Sequence, residues 1–285
     1  MRHKLIISNG ENSIDLYDDR YLLISAVEGV GVSANVNITE YGSSNGGSYN
    51  GTHVSARTIS IAAKFRNLGD MSAQKMRIYD IFQVDKELNI RYVTPSIDVM
   101  AKGYCSKCDI PPNAFPLVFS AEIVCPDPYF KKAYVAPVQL YGTAKMFSFK
   151  KGATEFNKVC FGNMTRAKVV RLDYEGSIRT GFVVRVALSA ACSGFRIENY
   201  TLDCELSLTG SFLAGDIIEI STEDHKQYID LYRGGTKMIG LKYLDEGSEF
   251  FQLIPGMNEM KFIGNGIDAA AADAMMYYDV KVGGV

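Results

Sequence analysis

Ile123-Val124-Cys125-Pro126-Asp127-Pro128-Tyr129-Phe130 punctuates the chain more strongly than any other stretch. Two prolines two residues apart forbid a helix, and neither can donate to a sheet ladder, so no central strand passes through them. The run over 117–125 that leads into this stretch has strand character, and the residues that follow, to about Gly142, read as a linker. The chain therefore divides into a unit over 1–132, a linker over 133–142 and a second unit over 143–285. The boundary rests on punctuation, because charge does not shift across it: residues 1–132 hold 14 basic and 14 acidic side chains.

Upstream, strands over 4–8, 13–17 and 21–27 are separated by turn signals such as Asn9-Gly10. From Tyr41 through Gly46, Gly47 and Tyr49 to Thr52 the sequence is too glycine-rich to hold a regular element alone, and reads as a loop or as an arm that orders against a partner. Arg57 then leads a strand to Phe65 whose β-branched residues suit a pleated surface. One segment reads as helix, over 71–84, with Asp70 as its cap and an apolar stripe at Met76, Tyr79 and Phe82 widened by Ile78 and Ile81. Strands over 88–94 and 96–102 follow, and the Pro111–Ala114 stretch reads as a turn. The first unit is thus mostly β with a single helix.

Downstream, short strands recur at the spacing of a sandwich: 167–174, 181–188, 195–199, 204–209, 216–221, 228–232, 250–253, 259–263 and 276–282. Gly162-Asn163, Gly215-Asp216, Gly234-Gly235 and Gly256-Met257-Asn258 supply turn chemistry between them. The alanine-rich stretch over 268–275 favours helix by propensity, with room for a turn or two.

The 285 residues carry 30 Lys and Arg against 32 Asp and Glu, a net charge of -2, so no strong field draws the chain to phosphate backbones or anionic lipid. No apolar run approaches the roughly 20 residues of a membrane span and no signal segment forms, so the chain reads as soluble and unexported. Six Cys at this length read as reduced thiols, and Cys105-Ser106-Lys107-Cys108 lacks the second pair a structural zinc site needs. No zincin motif, nucleophile elbow or phosphate-binding loop occurs, and His3, His53 and His225 are scattered among polar segments. No enzyme, cofactor or metal site is expected.

In its order of parts the chain resembles the distal tail proteins of long-tailed phages, in the siphovirus tail-component family. Four features carry the resemblance over essentially the whole chain: the glycine-rich segment running into Arg57-Thr58-Ile59-Ser60-Ile61; the single helix; the strand ending in Cys125, Asp127, Pro128 and Tyr129; and the turn Pro255-Gly256-Met257-Asn258 before the aromatic-containing Tyr277-Tyr278-Asp279-Val280. The stretch over 268–275 departs from the family pattern. The resemblance implies a mainly β chain, with an N-terminal β-barrel-like domain holding one helix and a C-terminal galectin-like β-sandwich. It also implies a homohexameric ring at the distal end of the tail tube, joining the tube protein to tail-tip hub proteins of the tail-associated lysin type and to receptor-binding proteins. DNA passes through such a ring without specific binding, and the protein resides in the virion tail after assembly in the bacterial host cytoplasm.

On that reading Tyr41, Gly46, Gly47 and Tyr49 form an inter-subunit arm. Arg57 either meets a neighbour's carboxylate or solvates the start of its strand, and Asp127 caps a turn, as Pro255, Gly256 and Asn258 do. The alternative function is a carbohydrate-binding module. Sugar-binding sandwiches stack an aromatic ring on the pyranose, and true galectins use Trp for it. This chain has no Trp, leaving Tyr228, Tyr232 or Tyr243 as substitutes.

Overall fold

The computed structural model describes residues 3–66, 69–112, 116–150, 158–165, 169–265 and 271–285. Two compact units result, one of Met1–Ala133 together with Lys281–Val285, the other of Tyr134–Val280.

The first unit is built from β1 Lys4–Ser8, β2 Ser13–Asp15, β3 Leu22–Glu28, β4 Asn35–Glu40, β5 Gly47–His53, β6 Arg57–Phe65, α1 Met71–Ile81, β7 Glu87–Val93, β8 Asp98–Asp109, β9 Val118–Cys125 and β10 Phe130–Lys132. Its main sheet runs β2-β1-β7-β8-β9-β6-β3, with β10 pairing both β8 and the returning segment Lys281–Val282. Alternate residues of β6 and β9, Ile59, Ile61 and Ala63 with Phe119, Ala121 and Ile123, are buried on one face, as a period of two requires. The sheet is not closed into a barrel, which corrects the barrel-like expectation: β2 and β3 end the path unpaired with each other. A helix closes the core instead. Ile78, Ile81 and Phe82 of the α1 region are buried with the sheet residues, and the Phe82 ring lies 5.1 Å from that of Phe119.

Helix α1 starts where its cap dictates, since Asp70 Oδ1 accepts from the backbone N–H groups of Ser72 at 2.8 Å and Ala73 at 3.4 Å. Its other end has a partner that the sequence alone does not reveal: buried Asn9 donates through Nδ2 to the carbonyls of Asp80 at 2.7 Å and Ile81 at 3.3 Å. The expected stripe at 76, 79 and 82 is only partly the docked one. Met76 and Tyr79 face solvent, because the i, i+3, i+4 set 78, 81 and 82 takes the core.

The second unit comprises β11 Val138–Lys150, β12 Lys158–Thr165, β13 Val170–Tyr174, β14 Phe182–Leu188, β15 Cys192–Asn199, β16 Cys204–Phe212, β17 Ile217–Glu223, β18 Lys226–Arg233, β19 Thr236–Ile239, β20 Gly256–Asn265 and β21 Ala272–Tyr278. They form a seven-stranded sheet, β12-β11-β21-β14-β17-β18-β19, and a four-stranded one, β13-β20-β15-β16. Side chains of both sheets share one core, in which the Phe195 ring lies 5.2 Å from Phe262 and 5.9 Å from Phe212. This is the expected β-sandwich.

Several local expectations change. Val138 begins a strand within the stretch read as a linker. Gly162 lies inside β12, opposite Lys145, and 250–253 contributes one bridge, Thr180 to Leu253, in place of a strand. The alanine-rich stretch is strand, not helix, from Ala272 onward: Ala272, Ala274 and Met276 face the core as β21 is held between β11 and β14, and this pairing overrides a propensity of a few tenths of a kcal/mol per residue. Residues 113–114, 167–168 and 268–270 of the expected turn, strand and helix lie outside the described residues.

Where β17 begins, the buried carboxylate of Asp216 accepts from Arg233 Nε at 2.9 Å and Arg233 Nη2 at 2.5 Å, and from the Leu213 N–H at 2.8 Å. The Arg233 bonds hold its pKa below the ordinary carboxylate value, against the opposing effect of burial. A depressed folded pKa gives stability that is present above the unfolded value, about 4, and is lost as pH falls through the folded one. We therefore expect Asp216→Asn to flatten the acid limb of melting temperature against pH below about pH 4. An unchanged limb in the variant would contradict this.

Candidate functional site

Strands β4 and β5 pair with each other and with nothing else among the described residues, making a two-stranded ribbon apart from the main sheet. The glycine-rich stretch is thus not irregular: 47–53 is a strand because β4 supplies its partner. Gly46 closes the turn at φ +99°, with the Tyr41 N–H donating to its carbonyl at 3.0 Å. Gly51 takes φ +121° where the register shifts between Asn37 and Ile38. Gly47 has no room for a side chain, since a Cβ there would lie 2.6 Å from Ile38 Cγ2.

In this register Ile38 stands opposite Tyr49 and Val36 opposite Thr52, so Val36, Ile38 and Tyr49 share one face. They are 54%, 59% and 66% exposed. A lone two-stranded ribbon is marginal in water, and covering each of these side chains is worth about 1.5–3 kcal/mol. The face is suited to packing against another surface.

The ribbon's root is anchored. Arg57, only 8% exposed, donates from Nη1 to the Val30 carbonyl at 3.0 Å and from Nη2 to the Gly283 carbonyl, with its guanidinium carbon 4.5 Å from the Phe130 ring centroid. Burial pulls its pKa down while Cys125 and Asp127 push the other way. The Val285 N–H adds a bond of 3.2 Å to the same Val30 carbonyl. Neither expected role of Arg57 describes it: the guanidinium is spent inside its own unit, tying the loop before β4 to the last residues of the chain.

Removing that side chain takes a charge-assisted donor from two carbonyls, of which Val30 keeps the Val285 N–H. Charge-assisted bonds contribute about 1.5–3 kcal/mol each, so Arg57→Ala should cost about 3 kcal/mol in urea unfolding, with Arg57→Lys, which lacks the fork, recovering less than half. A loss under about 0.5 kcal/mol would show that the bracket is not holding.

The remaining marker residues occupy two turns. Cys125 is buried opposite Arg57, and burial pushes its thiol up to about 11. Asp127 Oδ1 accepts from the Tyr129 N–H at 3.1 Å, and its other oxygen lies 3.4 Å from Lys131 Nζ, with Pro128 and Tyr129 half-buried around it. In the second unit the buried Asn258 side chain donates to the carbonyls of Ile254 at 2.7 Å and Gly256 at 2.9 Å and accepts from the Ile254 N–H at 3.1 Å. Gly256 supplies φ +88° after exposed Pro255. These two turns lie in different units.

Cys105 and Cys108 lie in β8 on either side of a register shift, and burial raises the Cys108 thiol to about 12. Among the described residues no group of three or more His, Cys, Asp or Glu is placed to hold a metal ion. Tyr228 and Tyr243 are half-buried, the first bonded through its hydroxyl to Glu219 at 2.8 Å, the second packed 5.0 Å from the Phe212 ring. The Tyr243 ring is engaged in packing against the core.

Residues 175–281 match the siphovirus-type tail component family in its C-terminal domain, which bears out the resemblance read from the sequence. No curated protein matches the chain. Among solved structures, the SPP1 Dit (gp 19.1) protein, described as a paradigm of hub adsorption apparatus in Gram-positive infecting phages, has the same fold at a TM-score of 0.65 and 15% identity, over 99% of each chain. The phage P2 baseplate in its activated conformation with Ca aligns at a TM-score of 0.49 and 13% identity over 100% of both chains. The form with Sr aligns at 0.45 and 12%, over 97% of this chain and 98% of that one.

Proposed function

We propose that this chain, whose C-terminal domain is of the siphovirus-type tail component kind, is the distal tail hub of a phage: six copies form a ring through their N-terminal units at the end of the tail tube. The family match over 175–281 is the observation that carries this reading, and the fold shared with a hub protein supports it. The N-terminal unit is the ring-forming body. Its exposed ribbon is the inter-subunit arm, and its anchored root gives that arm a fixed direction. A closed ring repeats one heterologous contact and leaves no copy with an uncovered ribbon.

Neutrality suits the conduit. Each phosphate neutralised by a lysine or arginine adds affinity, and therefore friction, for DNA passing through, whereas the N-terminal unit carries no excess of basic residues. The sandwich serves as a docking domain for tail-tip and receptor-binding proteins, and the tube protein meets the ring's other face. The hub is structural and catalyses nothing. It is assembled in the host cytoplasm and ends in the virion tail. Mass measurement of the purified chain, with negative-stain images, tests this: a six-copy species with an open centre is expected, and a monomer at high concentration would refute it.

A further inference from the structure

Residues 281–285 meet the loop that leads into the ribbon in three ways. Val282 and Lys281 pair with Phe130 and Lys131 of β10, which seats the segment beside Arg57, the donor to the Gly283 carbonyl. The Val285 N–H bonds the Val30 carbonyl, and Val30, Val282 and Val285 all pack against the core of the first unit. Between the two valines of the segment, Gly283 and Gly284 lie close against the loop. A Cβ on Gly283 would lie 2.6 Å from Val32 Cγ2, and one on Gly284 would lie 3.2 Å from the Val30 carbonyl oxygen and 3.3 Å from the Gly31 Cα. Neither glycine takes a left-handed φ, so it is the fit against the loop that a larger residue would disturb.

The order of the chain gives this contact a consequence. Val30 and Arg57 precede the whole of Tyr134–Val280, which builds the other unit, and residues 281–285 follow it. At synthesis rates of about 5–20 residues per second, about 7–30 s separate Ala133 from Lys281. In that interval β4 and β5 can pair, because they are neighbours in sequence. The loop at their root still lacks the Val285 bond, and Arg57 still lacks its acceptor on Gly283.

We infer that residues 281–285 act as a latch that fixes the root of the ribbon only after the sandwich has been synthesised, so that a chain still lacking them is kept out of the ring. The second half of this inference rests on the ribbon being the inter-subunit arm. An arm that must be ordered as it docks binds more weakly than one already held.

The test compares the full chain with a chain ended after Val280 and with Gly283→Val, which retains Lys281 and Val282 for β10 and wedges the segment off Val32. The probe is pancreatic elastase, which cuts after small apolar residues, applied at nanomolar concentration where the chains are separate. Mass spectrometry follows the cuts after Val30 and Val32, whose rates report local opening of the loop. Both variants should be cut there at least tenfold faster than the full chain while keeping its circular dichroism spectrum. At micromolar concentration, sedimentation velocity should show their assembly weakened at least tenfold. Equal cutting of the full chain and Gly283→Val would overturn the latch, whether or not the shortened chain folds. Faster cutting with undiminished assembly would overturn its control of the ring. A full chain that never assembles would refute the ring and that control with it, while the elastase rates, read on separate chains, would still decide the latch.

Discussion

Replacing Ile38 and Tyr49 by aspartate is expected to leave the unfolding of the isolated chain almost unchanged and to reduce the ring to free chains. Both side chains are more than half exposed in the single chain, so substitution there should move stability by no more than about 0.5 kcal/mol. In a ring each would be covered by a neighbour, and losing two such burials removes about 3–6 kcal/mol per contact before the cost of desolvating the new carboxylates. That is a factor of at least 100 in the dissociation constant at every contact. Sedimentation velocity at micromolar concentration reads the outcome. A ring that persists in the double variant would show that the ribbon is not the arm.

Gly29→Ala should strongly destabilise the N-terminal unit. The residue has φ +81°, and a Cβ built on it would lie 1.9 Å from the Thr58 carbonyl oxygen and 2.9 Å from the Thr58 carbonyl carbon. Both atoms belong to β6, whose pairing with β9 through Thr58 and Val124 prevents retreat. Left-handed strain of about 1–2 kcal/mol adds to a clash of about 1–3 kcal/mol. Gly10 supplies the control, with φ +87° and nothing within 4 Å of its Cβ position. Gly10→Ala should therefore show the strain alone, and Gly29→Ala about twice that loss or more in urea unfolding. Equal losses would show that the loop beside Thr58 can move.

Much of this architecture is legible in the residues because it is written in local chemistry. Asp70 announces the helix it caps, and the two-residue alternation of 57–65 announces β6. Gly215, Gly234, Gly235 and Gly256 all take the positive φ expected of turn glycines. What escapes a reading of the sequence depends on partners distant along the chain. The ribbon is hidden because Gly47–His53 is a strand only in the presence of Asn35–Glu40. The role of Arg57 is hidden because its acceptors are Val30 and Gly283, the second 226 residues away. The alanine-rich stretch misleads because β11 and β14, not its own propensity, decide its conformation.

The anchored root adds a physical reason for the C-terminal residues to return to the first unit. Arg57 and the Val285 N–H both bond the Val30 carbonyl, and Arg57 also donates to Gly283, so the loop leading into β4 has little freedom to splay. An arm that enters its neighbour from a rigid base loses less entropy on docking than a free hairpin would.

The ring itself is tested most directly by placing a photoreactive benzoylphenylalanine at Tyr49 and irradiating the purified chain. Denaturing electrophoresis should show a ladder that stops at six chains, with the crosslinked peptides mapping to residues 1–133 of a second copy. Monomer alone, or a ladder running past six without a limit, would contradict a closed ring held by the ribbon.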